Sequence, residues 1–364
     1  MTGLYLDANA TEPLRPAARD AALAAMETLG NPSSIHAPGR AVRHILETAR
    51  EVVARACFAR PADVIFCSGA TEANALAIHA LGKGRPILVG ATEHDSIRTA
   101  PSAAILPVNQ DGTLDLARLE ETLAAQQGAL VCLMAANNET GVLHDIESAA
   151  KICMAHGALL HVDAVQAIGR ANRDWLAMGA ASFSISGHKF GGPMGAGALI
   201  IRRGIEIEAL TKGGGQEQGR RGGTQALPAI AGMAAAITQP YNNVQIAALR
   251  DEIEAFCTSL GAIAPGSTAP RLPNTTSLIL PGVRAETQLI ALDMAGIAVS
   301  AGSACSSGKL AASHVLTAMG YGEQAGQAIR VSLPWNATPE TVPLFTEAYA
   351  AMVKRCLRAP AHSA

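Results

Sequence analysis

The residues best suited to chemistry lie in a glycine-rich stretch near the middle of the chain. A short run with strand character, residues 182–186, leads directly into Gly187-His188-Lys189, and the sequence FGGPMGAG follows. Glycines at such a turn let the backbone approach a ligand closely. A lysine sheltered by apolar walls loses its charge more readily, and the neutral amine is a nucleophile that reacts with aldehydes. The alternative is a solvated lysine in a surface turn, and this stretch alone does not decide between the two.

A second candidate is an anion-binding turn at residues 67–72, with the sequence CSGATE. A strand, a glycine turn and a helix start follow one another there, so free backbone N–H groups and the positive end of the helix dipole favour an anion. Thr71, directly after Ala70, adds a hydroxyl group. The alternative is that Ser68 or Thr71 only caps the helix. The turn lacks the GxxxxGK[ST] pattern, which argues against a nucleotide P-loop.

Three further polar residues follow predicted strands, at the position where ligands bind in parallel sheets. Asp163 could hold a proton on a ring nitrogen, or it could cap a helix that begins at Ala164. Asn138 could donate to a ring oxygen, unless it only favours a turn. His94 could stack on a flat ring, although a loop histidine with ordinary partners is the commoner case.

Three arginines are candidate contacts for anions. Arg220 and Arg221 lie in the loop 212–224, KGGGQEQGRRGGT, which is either mobile or threaded close to another surface. A dimer interface would explain this loop equally well. Arg330 lies mid-strand among apolar residues, where an unpaired arginine is costly to bury. It therefore requires a carboxylate partner, from a core acidic residue or from a substrate.

Cys305 differs from the six other cysteines of the chain. Those six lie in apolar or helical runs, where cysteine is usually a small buried hydrophobe. Cys305 lies in a loop of small polar residues, and Lys309 nearby would favour the thiolate. The alternative is a passive loop cysteine. The odd number of cysteines and the lack of a CxxC pair predict neither a disulfide framework nor a structural zinc site.

The elements that must position these residues alternate between strands and helices. Apolar runs that predict strands are residues 64–67, 86–90, 129–134, 158–162, 182–186 and 198–201. Helical patterns lie between most of them, for example at 70–81, 115–126 and 146–156. Runs of this length with helical crossovers indicate a parallel sheet that is covered on both faces.

A domain boundary is predicted at residues 239–243, QPYNN. It divides the chain into a large domain, 14–241, and a smaller α+β domain, 242–364, which residues 1–13 join or flank. The second part contains predicted strands at 276–280 and 329–333 and predicted helices near 285–294 and 338–353.

Composition excludes several classes of protein. The 364 residues are 49% hydrophobic with a formal net charge of −2, which supports a large core and argues against nucleic-acid and anionic membrane surfaces. No segment reaches about 18 uninterrupted apolar residues, so we expect no transmembrane helix. The N-terminus lacks the pattern of a signal peptide, so the expected location is cytoplasmic.

Taken together, these motifs resemble the cysteine desulfurases of the NifS/IscS type, in the class V aminotransferase group of pyridoxal-phosphate enzymes. The resemblance spans nearly the whole chain through LDANATEPL, NPSSIHAPGR, SGATEAN, TEH, NNETG, HVDAVQ, SGHKFGGPMGAGAL, GGGQEQGRRGGT, SAGSACSSG and IRVSL. It implies the type I pyridoxal-phosphate fold, an α/β architecture. This fold has a mainly parallel seven-stranded sheet with helices on both faces and a smaller α+β C-terminal domain.

The resemblance also implies contacts to the cofactor, pyridoxal 5'-phosphate. Lys189 corresponds to the lysine that forms the Schiff base, Asp163 to the partner of the pyridine nitrogen, and His94 to the histidine stacked on the ring. The residues that correspond to contacts of the ring hydroxyl oxygen are Asn138 and Gln166. Those that correspond to phosphate contacts are Ala70, Thr71, Ser186 and His188.

Substrate and partner contacts are implied in the same way. Arg330 corresponds to the clamp on the carboxylate of L-cysteine, assisted by Asn31. Cys305 corresponds to the nucleophile that accepts the sulfur as a persulfide and leaves L-alanine. Thr224 corresponds to a threonine that reaches the phosphate in the partner subunit, which implies a homodimer. The persulfide then passes to an acceptor protein, either an iron–sulfur scaffold or a thiolation enzyme.

No resident metal is implied, although Cys305 could be a shared ligand of an iron–sulfur cluster. The chain departs from the family at Met194, where a basic residue is usual, and at Pro334, where glycine is common. It ends soon after Arg330 in RAPAHSA, whereas housekeeping members carry a longer tail that docks an iron–sulfur scaffold. This difference puts that particular partner in doubt.

Three alternatives remain open. A selenocysteine lyase or cysteine-sulfinate desulfinase would differ in which substrate yields alanine. An ordinary class V aminotransferase would not need Cys305 and would show pyruvate-dependent amino transfer. A non-catalytic scaffold would not take up pyridoxal phosphate, and the presence of Lys189, Asp163 and Cys305 argues against it.

Overall fold

A seven-stranded sheet is the central element of the computed structural model, which describes residues 3–302 and 311–358. In chain order, after β1 (Leu4–Tyr5), its strands are β2 (Val64–Cys67), β3 (Ile87–Gly90), β4 (Ala104–Leu106), β5 (Leu130–Met134), β6 (Leu159–Asp163), β7 (Ser182–Ser186) and β8 (Gly197–Ile201). They lie in the order β2-β8-β7-β6-β5-β3-β4, and β8 alone runs antiparallel to its neighbours. The predicted mainly parallel sheet is therefore confirmed.

Helices cover both faces of this sheet, because its central strands are apolar on both sides. On β5, Val131 and Leu133 belong to one core, whereas Leu130 and Cys132 belong to another. The helices of this part are α1 (Pro16–Glu27), α2 (Ala37–Ala56), α3 (Ala70–Leu81), α4 (Asp95–Arg98), α5 (Leu116–Ala125), α6 (Ile146–Ala155) and α7 (Leu227–Ile237). Helix α3 packs on the second of these cores, and α1, α2, α5, α6 and α7 pack on the first.

The C-terminal part builds a separate apolar core, which includes Leu6 from the start of the chain. Its elements are α8 (Asn243–Ser259), β9 (Thr275–Ile279), α9 (Ala285–Met294), β10 (Ile297–Ala298), α10 (His314–Ala318), β11 (Ala328–Ser332) and α11 (Thr341–Arg358). Strand β11 pairs antiparallel with β9, and β1 pairs parallel with β10. These separate cores support the division that we propose, 14–241 and 242–364 with 1–13.

The structure departs from the expected elements in several places. The patterns single out neither α1 nor α2, and they miss β4, an edge strand with two exposed residues out of three. No helix begins at Ala164, since the residues that follow Asp163 form turns. Among the described residues, no helix has both the length and the apolar character needed to cross a bilayer.

The glycine-rich segment 212–224 is fixed to the sheet through the buried carboxylate of Glu217. Its oxygens accept hydrogen bonds from Arg50 Nη1 at 2.7 Å, Arg50 Nη2 at 2.8 Å and the Phe66 backbone N–H at 2.9 Å. The two arginines of the segment also have protein partners: Arg221 pairs with Glu72, and Arg220 donates to the carbonyl of Ala62. They do not point into the cavity described below.

We expect Glu217→Gln to lower the free energy of unfolding by about 3 kcal/mol, because it removes the buried charge that pairs with Arg50 and leaves this buried guanidinium only the half-exposed carboxylate of Glu47. Burial alone would raise the pKa of Glu217, but the bonds from Arg50 outweigh it and hold this pKa below its usual value. The stabilisation is therefore complete above the ordinary pKa of glutamate and is lost as the pH falls through the lowered one. Urea unfolding measures the change. Glu208→Gln, which breaks an exposed pair with Lys83, is the control and should not move the midpoint; equal effects would contradict the prediction.

Candidate active site

The carboxyl ends of the parallel strands open onto a cavity of about 570 Å³. Because β2, β3, β5, β6 and β7 all end at this edge, the residues that follow them converge there. The predicted site residues that line the cavity are Ala70, Thr71, His94, Asn138, Asp163, Gln166, Ser186, His188, Lys189 and Arg330. Residues separated by up to 260 positions in the sequence thus share one site.

Lys189 follows β7 and is mostly withdrawn from solvent. Its Nζ donates to the carbonyl oxygens of Asn9 at 2.7 Å and Ala10 at 3.0 Å. Burial, with smaller contributions from the nearby Arg330 and Arg170, lowers the pKa of Lys189 to about 8. A substantial fraction of the amine is then neutral near physiological pH, so the alternative of a solvated surface lysine is wrong.

Asp163, the last residue of β6, is buried with its carboxylate at the cavity. Oδ2 accepts from Asn74 Nδ2 at 2.9 Å, and Oδ1 accepts from the Val165 backbone N–H at 3.0 Å. The second contact closes a turn and not a helix, which corrects the alternative that Asp163 caps a helix at Ala164. These two donors fix the orientation of the carboxylate, which can still accept a hydrogen bond from a third donor.

The start of α3 leaves backbone N–H groups available to an anion. Gly69 is the N-cap and provides no side-chain cap, so the alternative that Ser68 or Thr71 caps the helix is wrong. The Ser68 backbone N–H instead donates to Glu72 at 2.6 Å. Gly197 lies directly behind, where a Cβ would approach the backbone of Gly69 to 2.7 Å. The close packing of these two glycines holds the helix end at the rim of the cavity.

His188 lines the same cavity as the start of α3. Its Nδ1 lies 3.2 Å from the hydroxyl of Thr11. Burial, followed by the charge of Lys189, lowers the pKa of His188 to about 4, so the ring is neutral at physiological pH. It can therefore donate a hydrogen bond to an anion without adding a charge.

Asn9 is a central residue of the site that the sequence analysis did not identify. Its carbonyl accepts from Lys189 Nζ and from Gln166 Nε2, and its Nδ2 donates to the carbonyl of Asn138 at 3.0 Å. Only 1% of Asn9 is exposed. It lies in a turn after β1, and its place inside the motif LDANATEPL was the only available signal.

Arg330 projects from β11 toward the cavity. Its Nη2 donates to Asp7 Oδ1 at 2.5 Å and its Nη1 to the carbonyl of Asn138 at 3.2 Å. Its Nε is buried and has no hydrogen-bond partner within the described residues. The arginine thus has the core carboxylate that its burial required, and Nη1 and Nη2 each keep a second N–H for a carboxylate that enters the cavity.

Two predicted residues do not join this cavity, and a third is not among the described residues. Asn31 is exposed, and its Oδ1 accepts from the Ser33 backbone N–H at 2.9 Å. Thr224 is exposed and borders a separate small recess. Cys305 lies outside the described residues. Of the six described cysteines, none lines the cavity. No cluster of metal-ligating side chains occurs among the described residues.

Comparison with known proteins gives a consistent result across sequence and structure. The family model for aminotransferase class-V matches residues 4–345. The IscS-like cysteine desulfurase of Mycobacterium tuberculosis is 35% identical, over 98% of this chain and 97% of that protein. The NifS-like protein from Rickettsia africae superposes with a TM-score of 0.90 at 35% identity and covers 97% of this chain and 99% of its own. The structure of SspA in complex with cysteine superposes with a TM-score of 0.81 at 26% identity, over 92% of this chain and all of that one.

Proposed function

The chain belongs to the class-V aminotransferase family and is a pyridoxal-phosphate-dependent cysteine desulfurase, and from this premise we propose which of its residues carry the reaction. The observation that supports the assignment most is the convergence of three groups on one cavity. These groups are the Lys189 amine with its lowered pKa, the oriented carboxylate of Asp163, and the uncapped start of α3.

The cavity fits the cofactor chemically. Lys189 would form the covalent link to the aldehyde, and Asp163 would hold the proton on the ring nitrogen. The phosphate would bind at the first turn of α3, near Ser186 and His188, because free N–H groups at a helix start favour anions. His94 would cover one face of the ring, and Asn138 and Gln166 would border its hydroxyl oxygen. When bound, the cofactor supplies an electron sink for the α-carbon of the substrate.

The chain's own residues then bind the substrate and move its protons. Arg330 binds the carboxylate of L-cysteine through the N–H groups of Nη1 and Nη2 that its bonds to Asn138 and Asp7 leave free, in the same cavity as Lys189. Lys189 removes the α-proton, since an amine whose pKa lies near 8 is a base at physiological pH. His94, at the mouth of the cavity, moves a proton to or from the substrate thiol.

The sulfur step needs no further reactant. The thiolate of Cys305 attacks the substrate sulfur, so a sulfur–sulfur bond forms while the bond between sulfur and the β-carbon breaks. A proton takes the place of sulfur on the β-carbon. L-cysteine and the Cys305 thiol thus become L-alanine and a Cys305 persulfide, with no net oxidation. The persulfide is the form in which sulfur passes to an acceptor protein.

We also propose a homodimer in the cytoplasm. Thr224 is exposed and lies away from the cavity of its own chain, which fits a residue that reaches the phosphate bound in the partner subunit. The six described cysteines are all free thiols, which fits a reducing compartment. The acceptor is a protein with a nucleophilic thiol or an iron–sulfur scaffold.

Arg330→Ala should raise the KM for L-cysteine by about 10- to 100-fold, with a smaller change in kcat, because a charge-assisted bond to the carboxylate is lost. Arg330→Lys keeps the charge without the planar fork, so its KM should lie between those of Arg330→Ala and the unchanged enzyme. Steady-state alanine formation measures both constants. Arg202→Ala, at an exposed arginine far from the cavity, is the control. A folded Arg330→Ala enzyme with an unchanged KM would remove the clamp role.

A further inference from the structure

Asn74 is a fully buried residue on α3 whose side-chain amide contacts both Asp163 and Ser96. Its Nδ2 donates to Asp163 Oδ2 at 2.9 Å and to Ser96 Oγ at 2.9 Å. Its Oδ1 lies 3.0 Å from Nε2 of His161, which is also fully buried. No motif or resemblance assigns a role to Asn74 or His161, although each contributes to this contact network.

The direction of each hydrogen bond follows from the carboxylate. An ionised carboxylate only accepts, so Asn74 must present its NH2 group to Asp163 and its oxygen to His161. His161 must then carry its proton on Nε2. Burial lowers the pKa of His161 to about 3, so the ring is neutral and its Nδ1 is an acceptor. The hydroxyl of Ser182 lies 2.8 Å from that Nδ1 and can supply the proton.

The second branch runs from Asn74 to the histidine at the cavity mouth. Because Ser96 Oγ accepts from Asn74, the Ser96 hydroxyl proton is free to point at His94 Nδ1, 3.0 Å away. The Ser96 backbone N–H donates to the same nitrogen at 3.1 Å. Two donors at Nδ1 leave the proton of a neutral His94 on Nε2, the other ring nitrogen.

We propose that Asn74 is a positioning residue, oriented by His161, whose one amide group fixes both the Asp163 carboxylate and the proton-bearing nitrogen of His94. This inference rests on the proposed function, in which Asp163 contacts the ring nitrogen of the cofactor. It goes further, because it connects Asp163 and His94 through the buried amide of Asn74. His161, whose Nε2 lies 3.0 Å from Asn74 Oδ1, sets the orientation of that amide. Loss of either hydrogen bond would loosen Asp163 before any chemistry takes place.

The first test uses the unchanged full-length protein without cofactor. Nitrogen-15 NMR of the histidine rings should show His161 as the neutral Nε2–H form from about pH 5 to pH 9, as expected for a pKa far below this range. A His161 ring that carries its proton on Nδ1, or that gains a second proton in this range, would overturn the proposal. This result does not depend on enzyme activity or on the cofactor.

The second test measures the dissociation constant of pyridoxal 5'-phosphate by fluorescence titration of full-length variants. Asn74→Leu should raise it about 10- to 100-fold, because the Asp163 carboxylate loses a buried donor. His161→Phe should raise it less, and His161→Gln, whose amide can still donate to Asn74, should recover most of that loss. If circular dichroism shows that Asn74→Leu does not fold, the comparison of His161→Phe with His161→Gln tests the proposal. Equal affinities of these two variants for the cofactor would refute the positioning role of Asn74.

Asp163→Asn distinguishes a failure of this proposal from a failure of the assignment on which it rests, that Asp163 contacts the ring nitrogen of the cofactor. If Asp163→Asn weakens cofactor binding and Asn74→Leu does not, the positioning role fails while the assignment of Asp163 stands. If Asp163→Asn binds the cofactor as tightly as the unchanged protein, the proposed role of Asp163 fails, and with it the inference.

Discussion

Lys189→Ala should yield a folded protein that takes up no covalently bound pyridoxal phosphate and has lost its cysteine desulfurase activity. The substitution removes both the amine that captures the aldehyde and the base that removes the α-proton, so we expect kcat to fall by at least about 10³-fold. The fold should persist, because the main interactions of the Lys189 side chain are two bonds to carbonyls of the N-terminal segment. The absorption spectrum and reduction with borohydride measure the covalent link. Lys83→Ala, at an exposed lysine paired with Glu208, is the control and should behave as the unchanged enzyme.

The lowered pKa of Lys189 gives this prediction a pH dependence. The amine reacts only when neutral, so cofactor uptake by the unloaded enzyme should rise tenfold per pH unit at low pH and level off above about 8. An ordinary lysine would level off near 10.4. Stopped-flow uptake measured from pH 6 to pH 10 distinguishes the two. A plateau near 10.4, or a borohydride-reducible link at another lysine in Lys189→Ala, would refute the assignment.

The sheet and most of the site could be predicted because both depend on local sequence. Both β5 and β7 are buried along their whole length; β5 appears as a continuous apolar run, and β7 as small serines that alternate with Phe183 and Ile185. Lys189 and Asp163 stand directly after such runs, and parallel strands bring their carboxyl ends to one edge. The roles of individual residues came from resemblance to a family, since spacing alone left an alternative for each one.

The contacts that could not be predicted connect distant parts of the chain. Asn9 and Asp7 enter the site from the N-terminus, and nothing in their local sequence indicates that they bind Lys189 and Arg330. Helix α1 was missed because its buried positions are small alanines, which give only a weak apolar pattern. The helix expected after Asp163 is replaced by a turn, because the Ala164 N–H pairs with Ser184 on β7 and the Val165 N–H with Asp163.

Cys305→Ser should keep the bound cofactor and its colour but form no persulfide. A serine hydroxyl is far less acidic and less nucleophilic toward sulfur than a thiolate, so we expect sulfide or persulfide production from L-cysteine to fall at least about 100-fold. Mass spectrometry after incubation with L-cysteine measures the added sulfur atom on the intact chain and on the peptide that contains position 305. Incubation with candidate acceptor proteins then shows which of them removes it.

None of the five buried cysteines among the described residues could replace Cys305. Five of the six are buried, and burial raises the pKa of each of their thiols, to about 12 for Cys57 and Cys153. Such thiols are poor nucleophiles because the thiolate is the reactive form.

Cys356 is partly exposed, so Cys356→Ser is the matched control and should form the persulfide normally. If Cys305→Ser still produced alanine and persulfide at the normal rate, while Cys356→Ser did not, the sulfur would be accepted outside the proposed loop. Normal activity in both variants would instead exclude a persulfide on either thiol and favour transfer of the sulfur to an external thiol, such as that of a second L-cysteine.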